Sequence, residues 1–142
     1  MADERELAKA QRAHWQDTYT AHPGMYGERP SDPAVHAAEV FRAAGARHVL
    51  ELGAGHGRDA LYFAREGFTV QAGDFSAVGL DQLRAAARAQ GVAERVTTVE
   101  HDVRDPFPCR TPPWTRSSRT CCCAWPCPRR RSVPWSVRSA GC

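Results

Sequence analysis

Three glycines alternate with other residues in the segment Gly53-Ala54-Gly55-His56-Gly57, which follows the apolar run Val49-Leu50-Glu51-Leu52. Glycine adopts positive φ angles and lets a ligand approach the backbone closely. In parallel sheets, ligands bind beyond the carboxyl ends of the strands, where the N-terminus of the next helix favours a carboxylate or a phosphate. The segment therefore predicts a strand, a ligand-binding turn and a helix. The alternative is a turn that only connects the two elements.

Two carboxylates stand at the ends of the next two predicted strands. Asp74, followed by Phe75, lies 17 residues after Gly57, and a carboxylate at this position can accept both hydroxyl hydrogens of a ribose. Capping of the helix that begins near Ser76 is the alternative role for Asp74. Asp102 ends the third strand, and its alternative role is that of a solvated loop carboxylate.

Helices and strands alternate along the part of the chain that would position these residues. The predicted elements are helices over 4–20, 32–45, 58–66 and 76–90, and strands over 48–52, 68–72 and 95–100. Asp32 is expected to cap the second helix, with Pro33 in its first turn, and Val40 to lie on its apolar face. Alternation of this kind predicts the α/β class, with a doubly wound parallel sheet.

Glu51 with the G-x-G-x-G turn, Asp74 and Asp102 together resemble, in order and spacing, the class I S-adenosylmethionine-dependent methyltransferases over about residues 32–108. The dinucleotide fingerprint G-x-G-x-x-G is not matched, because Arg58 occupies its third glycine position. The segment 58–64 is similar to the small-molecule branch that includes thiopurine and tellurite methyltransferases. A non-catalytic cofactor- or nucleotide-binding half-domain that needs a partner is the alternative, and an NAD-binding protein is a weaker one.

The resemblance implies the N-terminal, three-stranded half of a Rossmann-like fold that binds S-adenosylmethionine. The implied contacts to the methionine end of this cofactor come from Glu51, Gly53, Ala54, Gly55 and Gly57. Asp74, next to Phe75, would hold the ribose, and Asp102 with the backbone of Val103 would hold the adenine. No catalytic base can be assigned, since a base role for His56 is disfavoured by its place inside the turn. The aromatic segment from Trp15 to Tyr26 would cover the cofactor, and core packing is the alternative.

Charge divides the chain into two parts. Residues 1–108 hold 12 Lys and Arg against 16 Asp and Glu, a formal charge of −4, whereas 109–142 hold seven Arg and no acidic residue. Because attraction to phosphates requires cationic surface, the acidic body favours a small-molecule methyl acceptor over nucleic acid. The sequence has no apolar run of membrane-spanning length and begins with charged residues, so a cytoplasmic location with no membrane contact is expected. The oligomeric state is not indicated.

The segment 109–142 does not fit the family pattern, which is expected to stop at Pro108. It contains all six Cys and no Leu, Ile, Phe or Tyr. New codons can be built here from the third base of one residue and the first two bases of the next, and with permitted choices they read like the fourth strand and following helix of the family. Trp114 followed by Thr115 must then read Asp, and Cys121–Cys123 must read Leu-Leu, whereas most of the other residues are only allowed. The sequence therefore predicts a cap segment (1–31), a half-domain (32–108) and a frameshifted, disordered tail (109–142), in a truncated and inactive product. Metal binding by the cysteines and anion binding by Arg129–Arg131 are disfavoured alternatives.

Loss of the second half of the fold has a structural consequence. The first strand lies centrally in the sheet of the family that the chain resembles. In the truncated product, residues 49–52 would therefore form an exposed apolar edge, which favours aggregation.

Overall fold

The computed structural model describes residues 3–105 of the 142-residue chain. Its elements are the helices α1 (Glu4–Ala21), α2 (Asp32–Ala43), α3 (Arg58–Arg65) and α4 (Ala77–Ala89), the 3-10 turn Ala93–Arg95, and the strands β1 (His48–Leu52), β2 (Thr69–Asp74) and β3 (Val96–Glu100). The strands form one parallel sheet in the order β1-β2-β3. The predicted α/β class and parallel sheet are confirmed, and the arrangement corresponds to the N-terminal half of a Rossmann-like fold.

The register of the sheet brings the ends of the strands to one edge. Glu51 of β1 lies beside Ala72 of β2, and Asp74 at the end of β2 lies beside Glu100 of β3. Within residues 3–105, β1 pairs with β2 alone; the exposed apolar edge of a truncated product stays a prediction. The last residue of β1, Leu52, is 37% exposed. Val49 of the same strand, in contrast, is buried in the core beneath the helices.

The helices α2, α3 and α4 form one layer against the sheet, because α3 packs on both of its neighbours and on β2. Leu80 and Leu83 of α4 and Val70 of β2 are fully buried in this core. The ring of Phe63 lies 6.0 Å from that of Phe41 and 6.1 Å from that of Phe68. Parallel strands covered by helices bury apolar side chains in this way.

Two local predictions were wrong, the first because of a contact that sequence patterns do not reveal. Phe68 was assigned to β2, but its N–H donates to the carbonyl of Phe63 at 3.0 Å and closes the end of α3. The strand then continues farther than expected, to Asp74. Val40 was placed on the apolar face of α2, but it is 50% exposed.

The cap of α2 also differs from the prediction. Ser31, not Asp32, precedes the helix, and its Oγ accepts from the N–H of Ala34 at 3.2 Å. Ser31 is fixed in turn by Asp59, whose two carboxylate oxygens accept from the N–H and the hydroxyl of Ser31, both at 2.7 Å. The choice between two adjacent capping residues is thus made by a tertiary contact.

Replacing Ser31 by alanine removes both the cap and one of these hydrogen bonds. We expect the free energy of unfolding to fall by about 2 kcal/mol, as measured by urea denaturation. Thr20→Ala is the control, because this hydroxyl donates only to the carbonyl of Gln16 on an exposed helix surface, and we expect a change within about 0.5 kcal/mol. Equal effects of the two substitutions would show that the Ser31 cap contributes nothing.

Within residues 3–105, no helix has both the length and the apolar character required to span a bilayer. The predicted frameshifted tail, 109–142, lies outside the described residues, as do its cysteines and arginines. The same holds for the last residues of the predicted half-domain, 106–108.

Candidate functional site

A cavity of about 370 Å³ opens where β1 and β2 end. It lies between the glycine turn, the first turn of α3 and the aromatic residues that precede α2. The residues that line it are Trp15, Tyr19, Tyr26, Glu51, Gly53, Ala54, His56, Arg58, Asp59, Asp74 and Phe75. Five of the residues predicted to bind a cofactor are therefore brought together: Glu51, Gly53, Ala54, Asp74 and Phe75.

The glycine turn is held between two helices. Gly55 and Gly57 adopt φ angles of 56° and 89°, a region that residues with a Cβ disfavour. A Cβ on Gly55 would overlap the hydroxyl of Tyr19 in α1, and a Cβ on Gly57 would overlap the side chain of Leu83 in α4. These two glycines therefore permit close packing of protein on both sides of the turn. Neither is among the residues that line the cavity, so their contact with a cofactor stays a prediction.

Asp74 organises the turn through hydrogen bonds to backbone groups. It is 5% exposed, and its Oδ2 accepts from the N–H of Gly55 at 2.8 Å while its Oδ1 accepts from the N–H of Ser76 at 2.7 Å. Ser76 is itself the cap of α4, since its Oγ accepts from the N–H of Gly79. A carboxylate offers about four lone-pair positions, so Asp74 retains acceptor capacity toward the cavity. Its contact with a ribose stays a prediction.

Glu51 is the unusual acidic group of the site. Its Oε2 is buried and has no hydrogen-bond partner within the described part of the chain. Burial raises the pKa of this carboxyl to about 8; repulsion from Asp59 acts in the same direction and the charge of Arg58 opposes both. The group is therefore largely protonated at neutral pH. A cation that entered the cavity would satisfy the free oxygen and favour the ionised form.

The first turn of α3 adds two charged residues that the sequence analysis did not identify as part of the site. Asp59 anchors the start of α2 through Ser31, and its Oδ1 lies 3.4 Å from Nε of Arg58. The guanidinium of Arg58 is 5.7 Å from the centre of the Tyr26 ring. Both residues directly follow the glycine turn and lie in the first turn of α3. This position in the sequence could have identified them as part of the site.

The N-terminal segment supplies the aromatic wall of the cavity. The ring centres of Trp15 and Tyr19 are 5.9 Å apart. Two hydrogen bonds fasten α1 to α4: Gln82 Nε2 donates to the carbonyl of Tyr19 at 2.7 Å, and the N–H of Val78 donates to Oε1 of Gln16 at 3.2 Å. Burial and then the charge of Asp74 raise the pKa of Tyr19 to about 12, so its hydroxyl is a neutral donor. The structure places this segment over the predicted site.

His56 faces the same aromatic wall and has a structural partner. Its Nε2 accepts from the backbone N–H of Tyr26 at 3.2 Å. This ring nitrogen is therefore engaged in holding the backbone of Tyr26.

Asp102 and Val103, the predicted adenine contacts, are not among the residues that line the cavity. Both oxygens of Asp102 accept from the guanidinium of Arg104, at 2.6 and 2.8 Å. These hydrogen bonds hold the pKa of Asp102 at about 2. Val103 is 51% exposed. A role of these two residues in binding adenine stays a prediction, and it would require Asp102 to share its oxygens with Arg104.

Several solved structures are similar to the chain, whereas a search among curated proteins found no match. The CcbJ methyltransferase from Streptomyces caelestis is 38% identical with a TM-score of 0.45. The aligned region covers 61% of this chain and 34% of that methyltransferase. YjhP from E. coli is 24% identical with a TM-score of 0.47, at coverages of 60% and 35%. Cofactor-bound Rv0187 from MTB is 23% identical with a TM-score of 0.47, at coverages of 66% and 43%. The chain thus spans less than half the length of each.

The methyltransferase domain family provides the match that decides the assignment. Its sequence model matches residues 49–125, a range that contains the glycine turn, Asp74 and Asp102. The match extends past Pro108, where the family pattern was expected to stop. The frameshift stays a prediction. Because the matched range is more than half of the 142 residues, the chain belongs to the methyltransferase domain family.

Proposed function

We propose that the cavity binds S-adenosylmethionine as the methyl donor of a methyltransferase. The observation that carries the proposal is Glu51, which presents a buried oxygen without a partner beside a glycine turn at the ends of parallel strands. This group is suited to the ammonium of an amino-acid moiety, since ion pairing favours the charged form of a buried carboxyl. The residues present therefore fit the methionine end of this donor.

The other residues that line the cavity fit the rest of the donor. Asp74 has acceptor capacity left for ribose hydroxyls, and Phe75 lies beside it in the wall. The rings of Trp15, Tyr19 and Tyr26 cover the opposite side, where they exclude water and attract positive charge. When bound, the donor would supply a methyl group on a sulfonium sulfur, which departs as a neutral thioether, a good leaving group. The contribution of the chain is to position and orient the donor.

We further propose a small molecule as the methyl acceptor. The formal charge of −4 on residues 1–108 supports this class, because a surface that binds nucleic acid is cationic. We assign no catalytic base among the described residues that line the cavity. The pKa of Tyr19 is about 12 and His56 is engaged by Tyr26. The carboxylates of Asp59 and Asp74 hold the backbone of Ser31 and of Gly55. We expect the 142-residue product to bind the donor without transferring its methyl group.

Titration calorimetry of the full chain with S-adenosylmethionine tests the proposal. We expect saturable binding with a Kd in the micromolar range, about −7 to −8 kcal/mol, and no binding of NAD. Asp81→Asn serves as the control, because this side chain is exposed on α4 away from the cavity and its replacement should leave the Kd unchanged. Binding of NAD without binding of S-adenosylmethionine would contradict the proposal and favour the nicotinamide alternative.

A further inference from the structure

His56 joins the glycine turn to the connection between α1 and α2. Besides accepting from the N–H of Tyr26, its ring stacks on the Tyr26 ring with centres 5.7 Å apart and planes 14° apart. The ring of Tyr19 meets it at 6.2 Å and 74°. The imidazole thus lies between two aromatic residues of the segment that covers the cavity.

Besides His56, the guanidinium of Arg58 contacts the connection around Tyr26, 5.7 Å from the centre of that ring. Residues 20–29 are exposed, with Met25 at 42% and Tyr26 at 46%. Firmer contacts lie on either side of this stretch, where Gln82 binds the carbonyl of Tyr19 and Asp59 binds Ser31. Opening between these two points would remove Tyr26 from the wall of the cavity, while α1 with Trp15 and Tyr19 stays attached.

We propose that His56 is a positioning residue that closes the connection over the cavity while its imidazole is neutral, and releases it when the imidazole is protonated. A neutral ring nitrogen can accept the N–H of Tyr26, whereas a protonated imidazole presents donors on both nitrogens. The donor–donor contact that results is repulsive. The inference rests on the proposed function for the identity of the ligand, while closure itself is a property of the free chain.

The surroundings of His56 set the direction of this pH dependence. Burial lowers the pKa of His56 from 6.5; a backbone hydrogen bond opposes this shift, and the charge of Arg58 adds to it. The closed form is therefore stable at neutral pH, and it opens as the pH falls below the usual range of histidine. Glu51, with a pKa of about 8, stays protonated over this acidic interval. The titratable and charged groups that line the cavity together with His56 are Tyr19 of α1, Tyr26 of the connection, Arg58 and Asp59 of α3, and Glu51 and Asp74 at the strand ends.

Hydrogen exchange of the full chain without ligand tests the inference. Peptides that contain residues 22–29 are followed from about pH 7.5 to about pH 4.5, with correction for the intrinsic exchange rate. We expect protection in this stretch to fall at least about tenfold for the wild type on acidification. His56→Gln retains an acceptor that does not titrate, so it should stay protected at both pH values. His56→Ala should be unprotected at both, and His36→Gln, an exposed site, should behave as the wild type.

Protection of the wild type that does not change with pH, or loss of protection in His56→Gln parallel to the wild type, would overturn the inference. These two chains decide the question even if His56→Ala does not fold. Because the readout needs no ligand, failure of donor binding together with the expected exchange pattern would contradict the proposed function alone.

Discussion

Replacing Glu51 by glutamine is expected to stabilise the ligand-free chain at alkaline pH while it weakens binding of S-adenosylmethionine. Folding raises the pKa of this carboxyl from 4.5 to about 8, so the folded chain keeps a proton that the unfolded chain has released. The free energy of unfolding therefore decreases as the pH rises from 4.5 to about 8. At 1.36 kcal/mol per pKa unit, the full penalty above that range is at most about 5 kcal/mol. Glutamine at position 51 has no charge to bury, so the variant does not have this penalty.

The measurement is Tm as a function of pH for the wild type and for Glu51→Gln. The two values should lie close together near about pH 5, and the variant should exceed the wild type by an amount that grows up to about pH 9. Glu94→Gln is the matched control, because Glu94 is exposed in the 3-10 turn, and it should follow the wild type at every pH. A Glu51→Gln chain that is less stable than the wild type at alkaline pH would show instead that the ionised Glu51 stabilises the fold through an ion pair.

Gly57→Ala is expected to be the most damaging single change in the turn. The residue has a φ of 89°, and the new Cβ would overlap the side chain of Leu83, which is fully buried. The strain of the backbone and the overpacking together should lower the free energy of unfolding by about 3 kcal/mol. Urea denaturation of the full chain measures this loss.

Gly53→Ala separates the two contributions to that loss. Gly53 also has a positive φ, of 76°, but nothing lies within 4 Å of the position of its Cβ. We expect a loss of about 1 kcal/mol, from backbone conformation alone. If the two variants lost the same free energy, close packing of α4 against the turn would not be the reason for glycine at position 57.

The parts of the fold that depend on local pattern could be predicted from the sequence. The apolar run before the glycines gave the bounds of β1 without error, and Gly91 marks the end of α4 within two residues. The parallel order followed from the alternation of strands and helices. The position of Asp74 at a strand end, beside the turn, could also be predicted, because ligands bind at the carboxyl ends of parallel strands.

The parts that depend on contacts distant in sequence could not be predicted. Asp74 accepts from the N–H of Gly55, which is 19 residues away in the sequence. The sequence indicated a contact of Asp74 with a ribose but not this structural role in holding the turn. Ser31 caps α2 because Asp59 fixes it, although Asp32 is an equally good cap by residue type. The pairing of Asp102 with Arg104 was local, yet sequence alone did not show that it would take both oxygens of the carboxylate.

The central claim is that Glu51 receives the ammonium of the methyl donor, and counting protons on binding tests it most directly. S-adenosylmethionine is titrated into the full chain at about pH 7, in two buffers of different ionisation enthalpy. Since the pKa of the free site is about 8 and the ion pair requires the charged form, the wild type should release close to one proton per donor bound. Glu51→Gln should release none. Binding to the wild type without proton release, or with the same release in the variant, would contradict the claim.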